Sequence, residues 1–145
     1  MPHLTLPIST SGPVVDVVIS VSSARREALI AANMPVPQPV PIRALVDTGA
    51  SGTCIDAGVM RSLQLSPTGA IPIHTPSTGG QPHQANTFDI NLTLCHPQLT
   101  MTKQNIPVTE AHLAVQGIHG LIGRDVLRSC LFVYDGQGGV FALSF

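Results

Sequence analysis

Charged side chains are scarce in this sequence. Lys, Arg, Asp and Glu make up 10% of the 145 residues, well below the roughly 25% of a typical soluble domain. The formal net charge is −1, and no basic stripe is present to neutralise phosphates, so nucleic acid is not expected as a partner. Because few charges are available to cover a monomer's surface, part of the apolar surface is expected to be buried against another subunit.

Long apolar runs and metal-type ligand spacing are also missing, and no secretory leader is expected. No apolar run approaches the ~20 residues of a membrane span, and residues 1–8 lack the basic and apolar segments of a secretory signal. Cys54, Cys95 and Cys130 are odd in number, which indicates reduced and mostly buried thiols. The histidines form no ligand motif, so neither a metal nor another cofactor is expected. Together these features predict a cytoplasmic protein.

Short strands dominate what the sequence does contain. The run Val14–Val21 is rich in β-branched residues, and 41–46 is a second apolar run. Residues 88–94 alternate strictly, which predicts one buried face made of Phe88, Ile90, Leu92 and Leu94. Further strands are expected near 53–56, 71–74, 101–109 and 120–123, and short helices near 57–65 and 124–129. With a C-terminal hairpin at 131–145, this pattern predicts one all-β domain with one or two short helices.

Residues 22–41 interrupt the strand pattern. Residues 22–33 contain helix formers behind a capping serine, Ser22. Prolines then occupy positions 35, 37, 39 and 41, which forbids helix and favours an extended connection. The segment is interpreted as an insertion between two strands that serves as a spacer or as a proline-rich docking segment.

The stretch 44–53 carries the strongest chemical signal. An apolar run leads directly into Asp47, which is followed by Thr48, Gly49, Ala50 and Ser51. A partly buried carboxylate is costly unless it has a function or a partner. The Thr hydroxyl can lock the loop, and the Gly allows another backbone or a substrate to approach closely. The tripeptide alone also suits an ordinary turn, so both interpretations of Asp47 stay open at this point.

Two motifs and a hairpin together resemble the retropepsin-like aspartic proteases, the single-lobe relatives of pepsin that include the retroviral enzymes. Residues 44–51 read ALVDTGAS, residues 121–127 read LIGRDVL, and a Gly-containing hairpin at 75–87 lies where the family has its flap. The resemblance covers roughly residues 14–145 and implies a closed all-β barrel or sandwich. The C-terminal hairpin is longer than the single viral strand, which places the chain nearer to cellular and bacterial members.

The resemblance implies an aspartic endopeptidase that works as a homodimer. The family's mechanism needs two aspartates, and this chain has a single Asp-Thr-Gly. The second Asp47 would therefore come from another copy across a two-fold axis. Two carboxylates about 3 Å apart cannot both ionise, so the pair would share one proton. One member would activate water, and the other would hydrogen-bond the peptide carbonyl.

Further roles are implied residue by residue. Thr48 would grip its counterpart across the dimer, Gly49 would accept substrate backbone, and Ala50 and Ser51 would complete the active-site loop. The flap tip would be formed by Ser77, Thr78, Gly79 and Gly80. Structural support behind the loop would come from Leu121, Ile122, Gly123 and Arg124.

One position departs from the viral pattern. Viral members carry an acidic residue where this chain has Ser51, and that residue pairs with the arginine corresponding to Arg124. Asp56 or a backbone carbonyl is expected to take its place.

Two other functions are compatible with parts of the sequence. One is an inactive dimer of the same fold that binds peptides or supports assembly. The other is an unrelated β-barrel binding domain, which leaves the motif at 121–124 unexplained.

Overall fold

The computed structural model describes residues 1–73 and 81–145. Within them the chain forms ten strands, three α-helices and one 3₁₀ turn. The strands are β1 (His3–Pro7), β2 (Val14–Val21), β3 (Val40–Val46), β4 (Cys54–Asp56), β5 (Gly69–Ile73), β6 (His83–Leu94), β7 (Met101–Ala111), β8 (Gly120–Ile122), β9 (Leu131–Asp135) and β10 (Val140–Ser144). The helices are α1 (Ser23–Ala31), α2 (Ala57–Ser62) and α3 (Arg124–Leu127), and the 3₁₀ turn is Ala114–Gln116.

Local sequence accounts for most of these elements. Strand β2 has the predicted bounds. Helix α1 begins after Ser22, whose Oγ accepts a hydrogen bond from the backbone N of Arg25 at 3.1 Å, so the predicted serine cap is confirmed. The described residues contain three α-helices where one or two were expected for the domain, and the additional one lies in the insertion, where residues 22–33 had indicated helix formers.

Two expectations differ from the structure. Strand β1 was not predicted, since it is short and is stabilised by a distant partner, β10, against which it pairs antiparallel. The strand expected at 88–94 begins earlier, because residues 83–87 of the expected hairpin form the first part of β6. These residues are mostly polar, yet they pair antiparallel with β5, in the register Gly69↔Thr87 to Ile73↔His83. Their strand conformation therefore depends on pairing with β5 more than on their own composition.

Six strands close into a barrel in the order β2-β3-β8-β4-β7-β6, with β6 pairing back onto β2. Strand β5 extends from the N-terminal half of β6. A separate three-stranded sheet has the order β1-β10-β9. The all-β prediction is thus confirmed as a closed barrel with a small additional sheet.

The barrel interior is filled by alternate residues of the strands. Phe88, Ile90, Leu92 and Leu94 are all buried, which confirms the predicted face of β6. The small sheet joins the same core through Phe141 on β10. Both sheets therefore share one hydrophobic core.

Strand β8 lies between β3 and β4 in the sheet, and this order positions residues 44–53. Strand β8 pairs parallel with β3, placing Leu45 opposite Leu121, and antiparallel with β4, placing Cys54 opposite Leu121. Gly120 permits this close packing, since a Cβ there would lie 3.1 Å from Cδ1 of Ile42. As a result, the two sequence motifs lie side by side although they are about 75 residues apart in sequence.

Leu92→Ala should destabilise the barrel strongly. Leu92 is completely buried, so truncation leaves a cavity and should lower the free energy of unfolding by about 2–5 kcal/mol in urea denaturation. The control is Leu99→Ala, because Leu99 is 58% exposed and its truncation should change stability by less than about 0.5 kcal/mol. Equal effects of the two substitutions would contradict this description of the core.

Candidate active site

Asp47 lies immediately after β3 and is half-buried. Its backbone N donates to the carbonyl of Ile122 on β8 at 3.0 Å. Its own Oδ1 accepts from the backbone N of Gly49 at 2.9 Å, and the N of Ala50 donates to the Asp47 carbonyl at 3.2 Å. These bonds fix both the backbone and the carboxylate, so Asp47 is held by a structured turn.

Helix α3 braces the loop from the other side. The backbone N of Arg124 donates to the carbonyl of Ala50 at 2.9 Å, and its Nη1 donates to the carbonyl of Thr48 at 2.9 Å. Of the two partners expected for Arg124, a backbone carbonyl is the one observed. With Ser51 in the position of the viral acid, Arg124 therefore holds the loop through main-chain oxygens.

A buried hydrogen-bond chain ties the second motif to the end of the loop. The backbone N of Gly123 donates to Oγ1 of Thr53 at 3.1 Å. That hydroxyl donates to Oδ1 of Asp125 at 2.8 Å, and the N of Thr53 donates to Oδ2 of Asp125 at 3.1 Å. Neither Asp125 nor Thr53 was among the site residues predicted from the sequence. The signal available was a Thr directly before the short strand β4.

Gly123 is required at its position by a close approach of two backbones. A Cβ on Gly123 would lie 2.5 Å from the carbonyl carbon of Gly52 and 2.6 Å from its oxygen. No side chain fits there, so the Gly of the motif at 121–127 is explained by its contact with residues 52 and 53.

An apolar row lies on the same face of the sheet as Asp47. Leu45 and Leu121 are direct partners across β3 and β8, and Cys54 is the partner of Leu121 on β4. All three are half-buried between fully buried neighbours, so they point away from the core. Since Asp47 follows Leu45 by two residues, its side chain falls on this outer face. Leu121 and Ile122 were both expected to support the loop from behind. Only Ile122 points into the core, whereas Leu121 lies on the outer face.

Cys54 lies close enough to the site to sense its charges. Burial raises the pKa of the Cys54 thiol, and the carboxylates of Asp125 and Asp47 raise it further. A thiol with a raised pKa stays neutral and is a poor nucleophile. Cys54 therefore contributes an apolar surface, and its chemistry gives no support to a thiol-based reaction.

The remaining predicted residues are placed as follows. Thr48, Gly49 and Ser51 are exposed, and Ala50 is half-buried. The proposed flap tip, Ser77, Thr78, Gly79 and Gly80, lies outside the described residues. The strands leading to and from that segment, β5 and β6, form an antiparallel hairpin.

Asp56 is occupied elsewhere in the fold. Its buried carboxylate accepts hydrogen bonds from the backbone N of Leu113 at 2.7 Å, of Ala114 at 2.9 Å and of Gly58 at 2.9 Å. Burial alone would raise its pKa, but the three backbone donors and nearby His119 hold the pKa of the carboxyl below its ordinary value of 3.8. Asp56 thus caps α2 and anchors the 3₁₀ turn that precedes β8.

Residues 1–73 and 81–145 contain no group of three or more His, Cys, Asp or Glu side chains arranged to hold a metal ion. No helix in that part of the chain is both long enough and apolar enough to cross a membrane.

Gly123→Ala should be far more damaging than Gly52→Ala. The added methyl group at 123 meets rigid backbone, so the free energy of unfolding should fall by at least about 1–3 kcal/mol. At position 52 a Cβ meets nothing within 4 Å, and stability should change by less than about 1 kcal/mol. Thermal or urea unfolding of both variants measures the difference, and similar losses would contradict the close contact.

Asp56 should make stability fall in acid. Because its pKa is lowered in the folded state, it contributes stability that is fully present above pH 3.8 and is lost as the pH falls below 3.8 through the lower folded-state pKa. The stability difference between pH 6 and pH 3 should therefore be smaller in Asp56→Asn than in wild type, as measured by urea unfolding at both pH values. The same difference in both proteins would show that Asp56 is not responsible.

Comparisons with known proteins agree with this geometry. A family model described as aspartyl protease matches residues 32–126, well over half of the chain. The crystal structure of a retropepsin-like aspartic protease from Rickettsia conorii matches with a TM-score of 0.60 and 15% identity, covering 99% of this chain and 91% of that one. None of the curated proteins matches significantly. The resemblance inferred from the two motifs is confirmed: the chain belongs to the aspartyl protease family and has the retropepsin-like fold.

Proposed function

We propose that the protein is an aspartic endopeptidase whose active site is completed by a second copy of the chain. The observation that carries this proposal is a half-buried Asp47, held in a braced turn beside an apolar row, in a chain with a single Asp-Thr-Gly. Asp47 would supply half of a carboxylate pair, and its loop is held by hydrogen bonds from within the same chain.

The chemistry follows from the pairing of two identical carboxylates. With one proton shared between the two Asp47 side chains, the ionised member accepts a proton from a bound water, which attacks the peptide carbonyl. The protonated member donates a hydrogen bond to the developing oxyanion. The backbone N of Gly49, at 2.9 Å from Oδ1, keeps the carboxylate aligned during both steps.

An extended peptide with apolar side chains at the cleavage site suits this surface best. Leu45, Leu121 and Cys54 form a contiguous apolar wall beside Asp47, and burial of an apolar side chain against it contributes binding energy. An extended peptide can also use main-chain hydrogen bonds to strands at the rim of the cleft. We therefore expect cleavage between apolar residues, with little selection for charge.

An inactive peptide-binding dimer is the alternative. The intact Asp47, Thr48 and Gly49 and the bonds that brace them favour turnover, because a binding module needs no aligned carboxylate.

The neutral Cys54 thiol also argues against a covalent route through cysteine.

Asp47→Asn should abolish cleavage of a peptide library between pH 4 and pH 7. The substitution removes the general base, so the rate should fall about 100-fold or more. Asp89→Asn is the matched control, since Asp89 is an exposed aspartate on β6 and its substitution should leave the rate unchanged. Mass spectrometry of the products gives both the rate and the residues that flank the cut bond.

Two outcomes would count against the proposal. Equal residual cleavage by wild type and Asp47→Asn would show that another activity or a contaminant cuts the peptides. Peptide binding by wild type without any cleavage would favour the inactive dimer.

A further inference from the structure

The tight turn between β1 and β2, residues 9–12, stands beside Asp47. Pairing between β2 and β3 continues one residue before the start of β2, because the backbone N of Val46 donates to the carbonyl of Pro13 at 2.8 Å. The next step of the same register sets Gly12 beside Asp47. Since antiparallel partners have their Cα atoms about 4.5–5.5 Å apart, this turn is a close neighbour of the candidate catalytic residue.

Gly12 also lies on the face of the sheet that carries the apolar row. A Cβ on Gly12 would lie 2.9 Å from Cδ1 of Leu45, whose half-buried side chain points away from the core. The φ of Gly12 is +109°, a conformation that residues with a side chain rarely adopt. Glycine at this position therefore lets the turn pack directly against the wall beside Asp47.

The 9–12 turn is held by its own hydrogen bonds. The backbone N of Ser9 donates to the carbonyl of Gly12 at 3.0 Å, and the N of Gly12 donates to the carbonyl of Ser9 at 2.9 Å. The Oγ of Ser9 accepts from the N of Ser11 at 3.2 Å and donates to the Gly12 carbonyl at 3.0 Å. Just before the turn, the N of Ile8 donates to the carbonyl of Gly139 at 2.9 Å. The turn is thus preformed, which lowers the entropic cost of binding a ligand to it.

The tip of the turn offers two hydroxyl groups. Thr10 and Ser11 occupy the tip and are both exposed, and a hydroxyl can both donate and accept a hydrogen bond. Residues 8–13 contain no charged side chain, so a charged ligand group would lose hydration there without gaining a counter-charge. The chemistry of the tip therefore suits a neutral polar group.

The tip is within reach of a peptide that is cut at Asp47. One cross-strand step and two steps along the chain place the Cα atoms of Thr10 and Ser11 within about 13 Å of the Cα of Asp47. An extended peptide rises about 3.4 Å per residue. The hydroxyls can therefore contact a peptide residue that lies within about four positions of the cut bond.

We propose that the 9–12 turn forms one rim of the substrate cleft, where the hydroxyls of Thr10 and Ser11 bind a neutral polar side chain of the peptide, such as Asn, Gln, Ser or Thr. This inference rests on the proposed function, because it assigns a substrate subsite to the same active site. The apolar row accepts the apolar side chains at the cut bond, and the turn adds a polar preference at a neighbouring position.

Removal of both hydroxyls should weaken the binding of peptides that carry such a residue. The probes are peptides with apolar residues at the cut bond and either Asn or Leu, which have similar shapes, at each of the four positions on either side. Wild type should prefer Asn at one or more positions. In the double variant Thr10→Val with Ser11→Ala, the KM for the preferred peptide should rise about fivefold or more, because two hydrogen bonds are lost. Its kcat should change less than about twofold, since these bonds are equally present in the ground state and the transition state.

Thr100→Val is the matched control, because Thr100 is exposed in the connection between β6 and β7. This variant should keep the wild-type KM and the wild-type preference for Asn, and circular dichroism of all variants verifies that they fold. Equal KM values for the Asn and Leu peptides at every position in wild type would overturn the subsite.

Peptide binding to Asp47→Asn separates the subsite from catalysis. Fluorescence anisotropy of a labelled Asn peptide should give a Kd about fivefold or more higher when Thr10→Val and Ser11→Ala are added to Asp47→Asn. If wild type cleaves peptides and the double variant keeps the preference for Asn, the subsite is wrong while the protease assignment stands. If wild type cleaves nothing and the difference in Kd is present, the subsite stands and the catalytic assignment fails.

Contact with a second copy of the chain is the other role that the turn could have. The double variant would then lose cleavage of Asn and Leu peptides alike, and it would dissociate at higher concentrations than wild type in analytical ultracentrifugation. Either result would overturn the substrate subsite. A loss confined to the Asn peptides, with unchanged sedimentation, would support it.

Discussion

The backbone contact between Gly123 and residues 52–53 is the constraint on which the candidate site depends. It lets β8 lie between β3 and β4, and it places a buried N–H of Gly123 against the hydroxyl of Thr53. In this arrangement the carbonyl of Ile122 accepts a hydrogen bond from the backbone N of Asp47. Arg124 donates hydrogen bonds to the carbonyls of Thr48 and Ala50. Two short motifs thus stabilise each other, and neither could hold its geometry alone.

The same packing gives strands β3 and β8 one face in the core and one outer face. Ala44, Val46 and Ile122 point into the core, whereas Leu45 and Leu121 point outward beside Asp47. The carboxylate therefore stands at the edge of an apolar surface, where it keeps partial access to solvent. A fully buried position would impose a large desolvation cost on the ionised form, and a fully exposed one would leave the charge screened by water.

The features that were predictable from the sequence are those encoded over a few consecutive residues. The alternation in 88–94, the serine cap of α1 and the two motifs at 44–51 and 121–127 each depend on local spacing, and the first two match the structure residue by residue. Strand β1 and residues 83–87 were missed because their strand character comes from partners far along the chain. The Thr53–Asp125 bond was missed for the same reason, since it joins residues 72 positions apart. Ser51 in place of an acid correctly indicated that Arg124 needs another partner, but sequence could not choose between Asp56 and a carbonyl.

The central claim is that two chains share one active site, and a subunit-mixing experiment tests it most directly. Wild type is mixed with an equal amount of Asp47→Asn, subunits are allowed to exchange, and peptide cleavage is measured at constant total chain concentration. If both aspartates are needed, only the dimers with two wild-type chains are active, and random assembly makes these about a quarter of all dimers. The cleavage rate should therefore be about a quarter of the rate of wild type alone at the same total chain concentration. A rate of about one half would mean that each chain acts independently, and it would contradict the shared site.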